Sequence, residues 1–458
     1  MKFLKKFLCN FFIALLIIFI NYSSSFASSY VTNSSTTISG ASYDGFINDN
    51  LPQTYSQADL LMEESTGTIL YGKNIYKRMY PASTTKVMTA ILTLEHCKLT
   101  DVATASHNAV YSVPVGYSNA NIQEGEQLTI KDLLNVLLIP SANDAAFVLA
   151  EHIAGSVDAF SQMMNEKAKE IGCLNTNFVN PNGIHNENHY STAYDLALIG
   201  KYAMQIPEFK QIVSKTSCSL PKTNKYYKED RLFNTTNYLI KPNYSKSATN
   251  YYYQYATGAK TGYTDTAKNC VIATATKDNT SLIVVTLLGK NTEEGLSQRW
   301  LDCKNLFEYG FNNFSFQSLA TKNSVCQTSS VDGASSNTKN LNLVYSEDVN
   351  AYLPNNFDVS QISKTISLTQ DLIAPIAKGT VLGNVSYTVG NLTFTTNIVA
   401  ENDVFKSDII KTIMEILLII VVLTIISYIL KFNNKHKKKK RKKKSKKSYS
   451  LNNFYPKY

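Results

Sequence analysis

The sequence predicts an α/β (α+β) fold: an antiparallel sheet packed with helices, then a small all-β module and one transmembrane helix. Three observations support this. Blocks of helical apolar periodicity run between residues 81 and 204, and two β-rich runs, 271–275 and 282–288, are separated by a Lys277-Asp278-Asn279-Thr280 turn. Beyond Gly310 short alternating strands continue to Ala400, and an 18-residue apolar run follows at 413–430 whose only charge is Glu415. At 458 residues the chain has room for two or three domains and a substantial core.

Taken in order, residues 1–27 read as a secretory signal. Lys2, Lys5 and Lys6 precede a largely apolar run, and Ser25-Phe26-Ala27 offers small residues for cleavage. The alternative is an uncleaved anchor helix, and on either reading the following domain is exported. A Ser/Thr-rich leader, 28–54, precedes a first domain at 55–312. There Asp59-Leu60-Leu61-Met62 and Thr68-Ile69-Leu70-Tyr71 read as two strands joined by a Glu-Glu-Ser-Thr-Gly turn. From Pro81, the residues Val87, Met88, Ile91 and Leu94 mark one buried helix face, with Ser83 and Lys86 sharing a face at its start.

Thr129-Ile130-Lys131-Asp132 resembles a capping box ahead of Leu133, Leu134, Leu137 and Leu138, in a helix that stops at Pro140. Ser141-Ala142-Asn143 is thereby placed in a turn before the next helix, 145–153. Further helices are expected at 160–171, closing at Gly172, and at 194–204. Lys260-Thr261-Gly262 precedes the two β-rich runs and so belongs to an edge of the sheet. The β-rich module at 313–405 would be lined by Val344, Ala351, Ile362, Ile366, Leu372, Val381, Val385, Tyr387 and Ile398. With no catalytic cluster, it reads as a spacer or a partner-binding element.

The apolar run of 18 residues makes about 27 Å of helix, enough to cross a bilayer as a span at 409–430. Twelve Lys and Arg follow between Lys431 and Lys447, so the tail 431–458 is expected in the cytoplasm and the bulk of the chain outside. This explains the net charge of +10. Setting aside the tail cations, Lys457, the three signal lysines and Glu415 leaves 29 basic against 34 acidic residues. The exported part is mildly acidic, no nucleic-acid partner is implied, and the basic tail reads as a topology and anionic-lipid element.

Seven cysteines, one of them in the signal, are widely and irregularly spaced with no C-x-x-C, which points to mostly free, buried thiols. His185 and His189 lie in a Pro/Asn/Gly-rich loop without an H-E-x-x-H pattern. No metal and no cofactor is expected.

The chemistry rests on three strings in order: Ser83-Thr84-Thr85-Lys86, Ser141-Ala142-Asn143 and Lys260-Thr261-Gly262. S-x-x-K alone is weak. It recurs at Ser219 to Lys222 and at Ser336 to Lys339, but neither of those opens an apolar-periodic helix. A serine hydroxyl attacks a carbonyl only if something takes its proton, and Lys86 would do so once burial and a nearby cation, Lys260, lower its pKa from about 10.4. Lys260 would also attract a substrate carboxylate. Ser141 would relay a proton to the leaving amine, and Asn143 would bond the substrate backbone or orient Lys86. The N–H groups of Ser83 and Tyr263 would form an oxyanion hole. Taken singly, Ser83 is better explained as a helix cap, Ser141-Ala142-Asn143 as a turn and Lys260 as a solvated charge. The three strings together, on these elements and in an exported chain, favour acyl transfer.

Across roughly 57–400 the chain resembles the low-molecular-weight penicillin-binding proteins that act as serine D-Ala-D-Ala carboxypeptidases. The resemblance extends to Pro81-Ala82 through Ala90, Asn180-Pro181-Asn182-Gly183, Ser191-Thr192-Ala193-Tyr194-Asp195, Lys260-Thr261-Gly262-Tyr263-Thr264 and Ala374-Pro375-Ile376-Ala377-Lys378-Gly379. It implies a penicillin-binding/β-lactamase-like transpeptidase fold and removal of the terminal D-alanine from peptidoglycan stem pentapeptides through an acyl-enzyme on Ser83. It also implies acylation of Ser83 by β-lactams. Lys260, Thr261, Gly262 and Tyr263 are implied to bind substrate, and Arg299 matches an arginine near the terminal carboxylate, the alternative being a surface arginine. Relatives often carry Gly where Lys268 stands, and many end in an amphipathic surface helix where this chain has a span. The tyrosine-rich stretch 225–255 looks longer than usual and reads as a substrate-side insertion.

Rival classes share the strings. A class A β-lactamase would need an E-x-x-x-N string between the second and third motifs, which is missing, since Glu170 and Asn175 are one residue too far apart. A β-lactam sensor would need a cytoplasmic effector for which the tail has no room. A DD-endopeptidase would use the same residues.

Overall fold

The computed structural model describes residues 51–242, 251–293, 295, 297–389 and 392–449. The expected signal (1–27), nearly all of the leader, part of the tyrosine-rich stretch and the end of the tail lie outside these residues. Strands β1 (Ala58–Glu63) and β2 (Ile69–Lys73) form a hairpin, and a 3₁₀ turn (Ala82–Thr85) runs into helix α1 (Lys86–His96). The short strands β3 (Val102–Thr104) and β4 (Gln127–Thr129) pair on either side of α2 (His107–Tyr111). Helices α3 (Ile130–Leu138), α4 (Asn143–Ala154), α5 (Val157–Ile171), α6 (Ala193–Met204) and α7 (Pro207–Val213) follow. A ribbon of β5 (Ser217–Leu220) and β6 (Arg231–Asn234) leads to β7 (Ala256–Thr264), β8 (Lys268–Lys277), β9 (Thr280–Gly289) and α8 (Gln298–Asn313).

The main sheet is antiparallel in the order β2-β1-β9-β8-β7, so the start and end of the domain meet where β1 pairs with β9. Side chains alternate between its faces with the two-residue period of a strand. Leu60 and Met62 of β1, with Ile283, Val285 and Leu287 of β9, enter a core shared with α1 and the helices that follow. Leu61 and Val284 point the other way, into a core with Trp300, Cys303, Leu306 and Phe307 of α8. Burial on both faces explains why β8 and β9 read as nearly continuous apolar runs.

Helix starts follow the sequence signals. Thr129, Ser156 and Thr192 each accept the N–H three residues on, and α4 and α5 end at Gly155 and Gly172 in the left-handed region. Two expectations are corrected. Ser83 does not lie on the α-helix but in the 3₁₀ turn ahead of it, because Thr84 N–H bonds back to Pro81 O (3.3 Å) in a tighter i to i+3 pattern. Helix α1 also has no solvent face over its first two turns: every residue from Lys86 to Thr93 is buried, since the other helices pack around it.

The C-terminal module has β10 (Phe314–Ala320), β11 (Val325–Ser330), β12 (Asn340–Tyr345), β13 (Val349–Pro354), β14 (Ser363–Leu368), β15 (Val381–Val389) and β16 (Leu392–Ala400). A five-stranded sheet, β11-β12-β16-β15-β14, packs beside a β10–β13 ribbon over Leu341, Leu343, Leu382, Val385 and Ile398. Most of the expected lining residues are buried or half-buried, but Val381 is 50% exposed. The register shifts between Val381 and Gly383, which hands the core position to Leu382. Helix α9 (Ile409–Tyr449) contains a stretch, Lys411–Arg441, long and apolar enough to cross a membrane. The six cysteines of the described residues are free thiols, three of them buried.

Lys268 enters β8 at φ +54°, in the left-handed region that disfavours a Cβ. Lys268→Gly should therefore be tolerated and stabilise the fold by up to about 1 kcal/mol, whereas Lys268→Val should destabilise it by about 1–2 kcal/mol. Denaturant midpoints of the two variants check the pair, and equal effects would exclude backbone strain as the cause.

Candidate active site

The α1 N-terminus places Lys86 beneath the 3₁₀ turn. Its Nζ lies 2.9 Å from Ser83 Oγ, 2.8 Å from Asn143 Oδ1 and 2.9 Å from Asn182 O. The amide of Asn143 is oriented by its other end, since Nδ2 donates to Ser118 O at 2.8 Å. Two of the three neighbours, the Asn143 and Asn182 carbonyl oxygens, can only accept. A neutral amine has two N–H bonds and one lone pair, so these acceptors take both hydrogens and leave the lone pair for the Ser83 hydroxyl.

Burial pulls the Lys86 ammonium well below its ordinary pKa, and the charge of Lys260 pulls it further, against a weaker upward pull from Asp144. Lys260 is 1% exposed, so it is no solvated strand-end charge. Burial and then Arg299 bring it down to about 7. Its Nζ donates to Thr261 O at 2.8 Å.

Asn182 belongs to the Asn180-Pro181-Asn182-Gly183 loop, which packs directly under the nucleophile. A Cβ on Gly183, whose φ is +81°, would lie 1.8 Å from Ala82 O. Ala82 itself sits at φ +48°, a strained conformation for a non-glycine residue adjoining Ser83. His189 braces the same turn. Its Nδ1 accepts the Val179 N–H (3.2 Å), so Nε2 carries the hydrogen toward Thr85 Oγ1 at 2.8 Å. Burial holds this imidazole neutral, with its pKa down to about 3.

Strand β7 supplies the opposite wall. Among the described residues its edge position leaves one side unpaired, and Gly262 approaches so closely that a Cβ there would lie 3.0 Å from both Ser83 N and Pro81 O. Arg299, in the first turn of α8, donates through Nη1 to Gly262 O (3.0 Å) and Cys270 O (3.4 Å) and lies over the Trp300 ring. Burial lowers its pKa to about 10, and the side chain is half-buried in the cleft wall, so it is not a surface arginine. A cavity of about 550 Å³ opens between these elements, lined among others by Ser83, Ser141, Asn143, Thr261, Tyr263 and Arg299. Ser141 borders it at φ +70°, and among the described residues its hydroxyl has no hydrogen-bond partner.

Seven of the nine residues singled out in the sequence thus line one cleft, and the buried Lys86 and Lys260 adjoin it through Ser83 and Thr261. Sequence reasoning missed four contributors. The Asn182 contact is made by a backbone carbonyl, which leaves no side-chain signature. Thr236, whose Oγ1 lies 2.5 Å from Thr261 Oγ1, and Tyr238 line the cavity from the tyrosine-rich stretch, as does Tyr117 from the loop before α3. The expectation of a substrate-side segment was the available signal for Thr236 and Tyr238.

Residues 47–291, more than half of the chain, match the model of the peptidase family described as D-alanyl-D-alanine carboxypeptidase. The chain belongs to this family. Residues 314–406 match a second description, the C-terminal domain of penicillin-binding protein 5. Among relatives of this carboxypeptidase, the Bacillus subtilis D-alanyl-D-alanine carboxypeptidase DacF is 32% identical over 72% of this chain and 80% of its own. DacA of Haemophilus influenzae is 29% identical over 84% of this chain and 93% of its own. The crystal structure of penicillin-binding protein 5 from H. influenzae superposes with a TM-score of 0.61 at 28% identity, covering 78% of this chain and 99% of that one.

Two predictions follow from the geometry. Removing the charge at position 260 raises the Lys86 pKa, so in Lys260→Met the rising limb of the penicillin-acylation pH profile should move to higher pH. The same variant should gain stability, by on the order of a few kcal/mol, because a buried ammonium is lost. Stopped-flow acylation and denaturant unfolding read the two effects, and an unmoved limb would exclude the coupling. Gly183→Ala forces the loop off Ala82, and acylation should fall at least about a hundredfold, as for other misplaced catalytic groups. Active-site titration with a fluorescent penicillin measures it.

Proposed function

We propose that this carboxypeptidase cleaves the terminal D-alanine from peptidoglycan stem pentapeptides by the following division of labour. Ser83 attacks the penultimate carbonyl while neutral Lys86 takes its proton, forming an acyl-enzyme and releasing D-alanine. The observation that supports this most directly is the saturation of both Lys86 N–H bonds by fixed acceptors, which aims the lone pair at Ser83. Ser141, whose hydroxyl is uncommitted, relays that proton from Lys86 to the leaving amine, giving its own and taking the lysine's in return. Asn143 orients Lys86, the second of the two roles expected for it. The Ser83 and Tyr263 N–H groups hold the oxyanion, and Arg299, Thr261 and Lys260 supply the donors and positive potential for the terminal carboxylate. Gly262 permits the close approach of strand and nucleophile. Water then releases the shortened peptide.

β-Lactams acylate the same serine. Asp265 is the one carboxylate among the described residues lining the cavity, and it already accepts from Tyr263 OH at 3.1 Å. This supports slow deacylation over a β-lactamase reading.

The organisation we infer is a cleaved signal at 1–27, a leader to 54, the catalytic domain at 55–312, the β module at 313–405, a span at 409–430 and a cytoplasmic tail at 431–458. The catalytic domain then works outside the membrane. The span and the basic tail contact membrane lipids, the tail through anionic headgroups.

Purified protein given penicillin and a pentapeptide ending in D-Ala-D-Ala should form a long-lived adduct on Ser83 and release D-alanine. Ser83→Ala should lose both, with D-alanine release down by about 10⁴-fold or more. Full release by Ser83→Ala would overturn the mechanism, and rapid penicillin turnover would move the reading to a β-lactamase.

A further inference from the structure

We propose that the lower edge of the β module, through Phe405 and Ile373, docks into the outer headgroup layer of the bilayer that α9 crosses. The proposal rests on the membrane reading of α9 and adds a second contact to it.

There is almost no linker between module and helix. Ser407 N–H donates to Gly333 O at 2.7 Å, and α9 begins at Ile409, with Thr412 N–H already bonded to Asp408 O at 2.9 Å. A held residue and the first helical residue are thus two positions apart. From Ser407 to Ile413, where the apolar run with its single charge at Glu415 starts, is six residues, or about 9 Å of rise. The polar layer on each side of a bilayer core is about 5–8 Å thick. The module edge is therefore held at the headgroups.

That edge is a small ribbon of three segments. Ala334 bridges Lys406, Ile376 bridges Val404 and Asp332 bridges Ile373, while Ser335 N–H donates to Phe405 O at 2.8 Å. Within it, Val404 and Ala374 are buried at 1% and 6% exposure, whereas their neighbours Phe405 and Ile373 are 62% and 58% exposed. Large apolar side chains are thus turned outward beside a membrane span. The charges around them nearly balance, Asp332, Asp371, Asp403 and Asp408 against Lys378, Lys406 and Lys411, and leave no basic excess. The contact is consequently apolar in character and should not depend on anionic lipid.

Trp300 is the chain's one tryptophan and is fully buried, so an added tryptophan reports on its own position. The full chain is reconstituted in phosphatidylcholine vesicles as Phe405→Trp, as Ile373→Trp and as a control, Phe316→Trp, which is 43% exposed on β10. Lipids brominated high on the acyl chain should quench Phe405→Trp and Ile373→Trp about twofold, at low and high salt alike, and leave Phe316→Trp unchanged. If both edge tryptophans escape lipid quenching but are quenched by aqueous acrylamide, while the chain resists carbonate extraction, docking is overturned and the span reading stands. Extraction by carbonate would instead remove the span reading, and this proposal with it.

Discussion

Everything in the catalytic domain serves one unfavourable arrangement, two buried lysine amines within electrostatic reach of each other. Lys260 at about 7 stands some 3.5 pH units under its ordinary value, which at pH 7 is a penalty on the order of 5 kcal/mol relative to a solvated lysine. The sign is set by proton uptake: between about 7 and 10.5 the unfolded chain binds the proton that the folded one lacks, so this group's contribution to stability rises with pH across that window. A loss of that size rivals the net stability of an ordinary domain. The two apolar cores, one on each face of the β1–β9 sheet, offset it. The desolvation that weakens the fold is the same desolvation that pulls the Lys86 ammonium well below its ordinary pKa.

The arrangement also needs rigidity that side chains alone do not provide. Asn143 and Asn182 work as acceptors only if their carbonyls stay aimed at Lys86, and both are fixed from behind. Asp144, next in sequence, accepts the N–H groups of Ala120 and Ile122 at about 3 Å, pinning the loop whose Ser118 carbonyl holds the Asn143 amide. Gly183 and Gly262 then let two backbones press against the turn that carries Ser83 from opposite sides. A nucleophile held between two glycine contacts has little freedom to leave the attack geometry.

This division explains what was legible in the sequence. Ser83, Lys86, Ser141, Asn143 and Lys260 are recognisable by side-chain type in spaced strings, and the edge placement of Lys260-Thr261-Gly262 follows from the β-rich runs after it. The 3₁₀ geometry at Ser83 and the burial of α1 on all sides are set by packing against distant elements, which a local periodicity does not encode. Asn182 contributes a carbonyl, identical in every residue type. Val381 was misplaced for a related reason: a register shift exchanges it with Leu382, and an alternating pattern contains both phases until a partner strand selects one.

The tyrosine-rich stretch before β7 shows how a segment that looks like an insertion becomes part of the site. On one side Thr236 meets Thr261 and Tyr238 borders the cavity. On the other, Tyr238 and Tyr251 pack on Trp300, Tyr253 stacks on Phe307 at 5.6 Å, and Tyr251 OH accepts the Ser297 N–H at 3.0 Å. These contacts fix the first turn of α8, and Arg299 sits in that turn. Against the Trp300 ring and bonded, among the described residues, to the Gly262 and Cys270 carbonyls, this arginine loses hydration without gaining a counter-charge there. The aromatic segment therefore positions the Arg299 guanidinium at one end of the cleft, while Lys86 and Ser83 meet at the other.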